Sequence, residues 1–187
     1  MTAHQYYSSA VYWVLYSQET HLTTRDIEST NDAIKKLKLI AQRVFEAAEK
    51  KYGKLSDWKN REVYVLYSPE LQILSIKNNI YITLGLIQKL NLDEIAMVMG
   101  HEVGHDVKGH KRLIDARPFD TTLREKVELE ADEIWIILWK EAWFDTTNMM
   151  TFLWKIPLIS SEQIVPGYPA DILRVQHGNK IIATLWK

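Results

Sequence analysis

The stretch that most constrains this chain opens at Asn91 and reads NLDEIAMVMGHEVGHDVKGH. Asn91 followed three residues later by Glu94 is a capping-box start, and the apolar spacing behind it predicts a helix to about Arg112. That helix carries His101, His105 and His110 together with Glu102, in a chain with six histidines in all. His101 and His105 are four apart, so on a helix they lie ~40° apart and project to one side. Two imidazoles placed this way can grip one metal ion, and Glu102 stands beside them within reach of a water there. Gly100 and Gly104 repeat at the same spacing, which predicts that another element comes close to the helix backbone. His110 falls about two and a half turns beyond His101, on the far side of a continuous helix. It reads as a cap or surface residue near the negative helix pole rather than a third ligand.

A catalytic zinc site takes three protein ligands and keeps one position open. The segment VELEADEIWIILW, in a helix predicted over about 123–142, offers Glu128, Glu130, Asp132 and Glu133. On its wheel Lys126, Glu130, Glu133 and Lys140 share the one polar wedge, the expected solvent face. Glu128 and Asp132 fall among Ala131, Trp135 and Trp139, and a carboxylate on an apolar face needs a cation or donors. Glu128 is therefore assigned as the third ligand and Asp132 as the outer partner of a ligand histidine, fixing its tautomer. The competing reading of this pair is a buried salt bridge to a lysine or arginine.

The 187 residues suffice for one core, so a single domain over 1–187 is expected. A net charge of -1 gives no support to a nucleic-acid partner. With no cysteine, thiolate ligands and a cysteine nucleophile are excluded, and a cytoplasmic location is expected. The N-terminus has no basic region or cleavage site, so neither a signal peptide nor a transmembrane segment is expected.

Along the chain, Ile27, Ile34, Leu37, Ala41, Val44, Phe45 and Ala48 predict a helix from Thr24 to about Tyr52, stopped by Gly53. Three β-rich pieces, 61–68, 71–77 and 79–85, predict a small antiparallel sheet. Arg112–Thr122 is expected as loop, a helix is expected at about 146–154, and the tail as loop with a last strand over Lys180–Leu185. Residues 1–20 are aromatic and have no clear assignment. Trp135, Trp139, Trp143 and Trp154 have the helical spacing of core residues rather than of a groove. The fold class is α+β, a small sheet packed on a helical bundle.

HEVGH followed by ELEAD resembles the HExxH and ExxxAD signatures of the HtpX-like and CAAX prenyl protease family of zinc metallopeptidases, among the gluzincins. IYITLGLI is similar to the family's edge strand and following helix start, EAWFDTTNMMTFLWKI to the helix–turn–helix after ExxxAD, and PGYPADILRVQ to its His-Pro-x-x-x-x-Arg element. The resemblance covers roughly 60–176. It implies a zincin-like metallopeptidase domain with one Zn²⁺ per chain on His101, His105 and Glu128, and a peptide or protein substrate. It also implies Arg174 as an outer partner. Tyr168 stands where the family has its histidine, and the family's membrane spans have no counterpart here.

The expected reaction is peptide-bond hydrolysis. Zinc would lower the pKa of a bound water toward ~7, Glu102 would act as general base, and Tyr168 would donate to the oxyanion. Ile80, Tyr81, Ile82 and Thr83 are expected as an open sheet edge to which a peptide adds as a strand. Two histidines and a carboxylate also suit non-haem iron, but the adjacent Glu102 favours zinc. The other readings are a non-catalytic zinc-binding interaction module with a peptidase-like fold, and a latent enzyme blocked by 112–122 or by the tail near Tyr168.

Overall fold

The computed structural model describes residues 24–53, 61–76, 79–142 and 171–185. Within them the chain runs α1 (Thr24–Tyr52), β1 (Val63–Leu66), β2 (Ile73–Ile76), β3 (Asn79–Thr83), α2 (Leu84–Lys89), α3 (Leu92–Lys108), α4 (His110–Ala116), α5 (Thr121–Glu141) and α6 (Asp171–Leu185). This is a mostly helical α+β arrangement. Residues 1–20, the helix expected at 146–154, Trp143 and Trp154 lie outside the described residues.

Helix α1 forms where the periodicity placed it. Leu37, Ala41, Val44, Phe45 and Ala48 are all buried. It stops at Gly53, whose φ of 85° lets its N–H turn back to the Glu49 carbonyl at 2.9 Å.

The sheet corrects the expectation of an all-antiparallel arrangement. Its order among the described residues is β1-β3-β2. β1 runs parallel to β3 with Val63 opposite Ile80, and β2 runs antiparallel to β3 with Ile73 opposite Ile82. The segment between β1 and β2 does not make a hairpin; it passes over the end of β3. There the Thr83 hydroxyl donates to the Glu70 carbonyl at 2.6 Å and accepts from the Gln72 N–H at 3.0 Å. Gly85 is needed at this crossing, because a Cβ on it would run into the Pro69 carbonyl.

The expected open edge at Ile80, Tyr81, Ile82 and Thr83 is thereby corrected as well. These residues form the central strand, with ladder partners on both sides, and Ile80 and Ile82 are fully buried. Among the described residues the edges are β1 and β2.

Helix α3 has the expected capping box in both directions. The Glu94 N–H donates to the Asn91 side chain and the Asn91 N–H to the Glu94 carboxylate, each at 2.9 Å. It ends at Lys108 instead of Arg112. Gly109 adopts a left-handed conformation with φ 64° and ψ 31°, which closes the helix and starts α4 at His110. The first part of the expected 112–122 loop is therefore helical, up to Ala116, and its last two residues begin α5. The Asp120 side chain then caps α5 by accepting from the Leu123 N–H at 2.8 Å.

Helix α5 is the centre of the bundle. Ile134, Trp135, Ile136, Leu138 and Trp139 are all buried in the core. Its last turn is held by Arg43 of α1, which donates to the Ala142 carbonyl at 2.6 Å. The expected strand over Lys180–Leu185 is corrected to the end of α6. Arg174 and Val175 are buried, and Ile181, Ile182 and Leu185 pack against the core. That spacing is helical, and it outweighs the β-branched residues that suggested a strand. No helix among the described residues is long and apolar enough to cross a membrane.

The two glycines of α3 bring its backbone against α5. A Cβ at Gly100 would lie 3.1 Å from the Trp135 Cβ, and one at Gly104 would lie 2.9 Å from the Ala131 carbonyl oxygen. The second obstacle is backbone and cannot rotate away. Gly104→Ala should therefore destabilise the protein by about 1–3 kcal/mol despite the better helix propensity of alanine. Gly100→Ala should be milder. Denaturant midpoints of the two variants check the order.

Candidate metal centre

The α3–α5 contact sets two rows of side chains against each other. His101, Glu102 and His105 come from α3, and Glu128 and Asp132 from α5. The His101 Nε2 lies 3.1 Å from the His105 Nε2 and 3.2 Å from a Glu128 carboxylate oxygen, which in turn is 3.6 Å from the His105 Nε2. Two ligand atoms on a tetrahedral zinc, each about 2.0–2.1 Å from it, stand about 3.3–3.4 Å apart. These donor atoms therefore have both the identity and the mutual spacing of a three-ligand site. His101, His105 and Glu128 form the metal-type group found among the described residues.

The other side of His101 is equally defined. Its Nδ1 is 3.0 Å from Asp132 Oδ1. Asp132 is fully buried and also accepts from the Trp135 indole N–H at 3.1 Å and from Arg174 Nε and Nη2 at 2.8 and 2.6 Å. A carboxylate with these donors accepts only, so His101 Nδ1 carries a proton and its Nε2 faces Glu128. The salt bridge read as the alternative for Asp132 is thus present, with Arg174, and coexists with the histidine contact. Of the two expected outer residues, Asp132 contacts His101 directly, and Arg174 contacts Asp132.

Charge is strongly coupled here. Burial works against a charged His101, but hydrogen bonds to Asp132 and Glu128 outweigh it and raise its pKa to about 9. Burial also opposes ionised Glu128, yet the hydrogen bonds from His101 and His105 hold its carboxyl well below the usual range. Burial likewise raises Asp132, and Arg174 more than reverses this. For Glu102, burial prevails over the pull of His105 and His101 and pushes the carboxyl up.

His110 corrects the sequence reading. It is fully buried, not a surface cap. Because the left-handed Gly109 breaks the helix, the ring meets His105, with Nδ1 3.0 Å from His105 Nδ1 and Nε2 3.0 Å from a Glu130 oxygen. Glu130, assigned to the solvent face, is only partly exposed and faces this histidine. A glycine just before His110 was the available signal, because a helix stop there invalidates the wheel beyond it.

A second group escaped the sequence reading. Asp106 accepts from Arg61 Nη1 and from the Ser75 hydroxyl, both at 2.8 Å on one oxygen. It ties the sheet to α3 one residue after His105. Tyr168 lies outside the described residues.

Since the folded-state pKa of His101 is raised above the ordinary 6.5, the metal-free protein gains stability from it below that value and loses it as pH rises through about 9. A metal ion needs the Nε2 lone pair that this proton occupies. Metal uptake at pH 7.5 should then release about one proton per ion, read by calorimetry in buffers of different ionisation enthalpy. Uptake without release would show that His101 is not a ligand through Nε2.

Residues 41–119 of this chain match the model of peptidase family M48. The match takes in the sheet, His101, Glu102 and His105, and ends before Glu128, Asp132 and Arg174. It supports a metallopeptidase-type function, and the geometry contributed by α5 and α6 is evidence independent of it. No curated protein matches the chain.

Proposed function

We propose that the chain is a zinc-dependent endopeptidase of the HtpX-like and CAAX prenyl protease type within family M48, built on a zincin-like gluzincin domain. The observation that carries this reading is the convergence of His101 Nε2, His105 Nε2 and a Glu128 oxygen beside a partly buried Glu102. When bound, zinc supplies a Lewis acid that acidifies a water toward ~7 and polarises the scissile carbonyl.

The chain's own groups do the rest. Glu102 takes the proton of the attacking water and returns it to the leaving amine; burial, by raising its proton affinity, suits both transfers. Asp132, steadied by Arg174 and Trp135, holds His101 in the tautomer a ligand needs. Tyr168 is assigned as donor to the oxyanion. A peptide that joins the sheet has β1 or β2 to join, and β2 is the strand linked to α3 through Ser75 and Asp106.

Plasma mass spectrometry should find about one zinc per chain in the wild type and little in Glu128→Ala. Glu102→Gln should keep its zinc and lose at least ~10²-fold in the rate of cleaving an unfolded protein substrate. Full zinc with no cleavage by the wild type would favour the alternative, a zinc-binding interaction module. Tyr168→Phe should lower kcat and leave zinc content alone; unchanged turnover removes Tyr168 from the mechanism.

A further inference from the structure

The centre described above accounts for His101 on both ring nitrogens, but for His105 on one only. The other, Nδ1, points away from the ligand cluster to His110 Nδ1 at 3.0 Å. His110 passes the contact on through Nε2 to Glu130 at 3.0 Å. We propose that Glu130 and His110 form a positioning relay that fixes His105 as its Nδ1–H tautomer and so presents its Nε2 lone pair to the metal.

Donor and acceptor parity places each proton. The carboxylate of Glu130 accepts only, and Lys126 lies 3.7 Å from its other oxygen. A hydrogen bond to it therefore requires a proton on His110 Nε2. A neutral imidazole carries a single proton; on His110 it is spent at Nε2, and Nδ1 is left as a lone pair. Two ring nitrogens 3.0 Å apart need one proton between them, and only His105 can supply it. A neutral His105 with its proton on Nδ1 has a free lone pair on Nε2, the atom that faces His101 and Glu128. The relay mirrors Asp132 acting on His101, but reaches its carboxylate through a second ring. It uses the break at Gly109, beyond which His110 meets His105.

The relay rests on reading the centre as a metal site, and its test separates the two. Imidazole nitrogen NMR of the metal-free wild type should show His105 protonated at Nδ1 and His110 at Nε2; the opposite pair overturns the relay whether or not zinc binds. Zinc affinity is then measured by chelator competition on the full chain for His110→Asn and His110→Leu. These side chains have the same branched shape, and only asparagine places an acceptor oxygen where Nδ1 stood. Leucine should weaken zinc binding by about 10–100-fold, with asparagine restoring most of it. Equal affinities, or a weaker asparagine variant, would show that the ring only fills space.

Glu130→Ala changes a partly exposed residue and guards against misfolding in the core variants. It should shift the His105 proton toward Nε2 in the NMR spectrum; an unchanged spectrum overturns the role of Glu130. A wild type that takes up no zinc yet shows the stated tautomers would sink the metalloenzyme reading and leave the relay standing.

Discussion

The approach of α3 to α5 at Gly104 and Ala131 is the contact on which the rest of the molecule depends. With a side chain at Gly104 the two backbones could not come so close. Because they do, a row of histidines meets a row of carboxylates without either reaching across a gap. His101 meets Asp132 and Glu128, His105 meets Glu128, and His110 meets Glu130. A glycine in a helix interior costs about 1 kcal/mol relative to alanine, and here two are retained where the neighbouring helix fills the space they leave.

Such a cluster is expensive to bury. Each ion taken out of water costs several kcal/mol unless its lone pairs or protons are satisfied. Asp132 meets that condition with Arg174, Trp135 and His101 around its two oxygens. Among the described residues Glu128 has two histidine nitrogens, both on one oxygen, and those nitrogens also crowd each other. The difference separates a carboxylate that is structurally complete from one that gains most from a divalent cation. Side chains already held at ligand spacing lose little entropy when the ion arrives.

Much of this was legible in the residues. The capping box, the stop at Gly53 and the α1 periodicity are local signals, and the structure follows them. Glu128 and Asp132 stood out because carboxylates on an apolar helix face require a partner, and burial alone raised the question. What the sequence did not reveal was set by tertiary pairing. Nothing local distinguishes a central β3 from an edge, because the order β1-β3-β2 depends on how the 67–72 segment crosses. A wheel continued through Gly109 misplaces the end of α3, because that single left-handed residue decides whether His110 faces solvent or His105. The tail was misjudged because Ile181 and Ile182 suit a strand in isolation, whereas their spacing from Val175 and Leu185 suits a helix.

Asp106 joins the sheet to the histidine helix. One of its oxygens is shared by Arg61, just ahead of β1, and by Ser75 in β2, while its backbone follows His105. Strands alternate their faces, so sliding β2 along β3 by a single residue would turn Ser75 to the opposite side and break this bond. The sheet is pinned to the histidine helix in one register only. The span from the strand edge to the ligand nitrogens behaves as a fixed ruler, and any chain laid along that edge is measured against it.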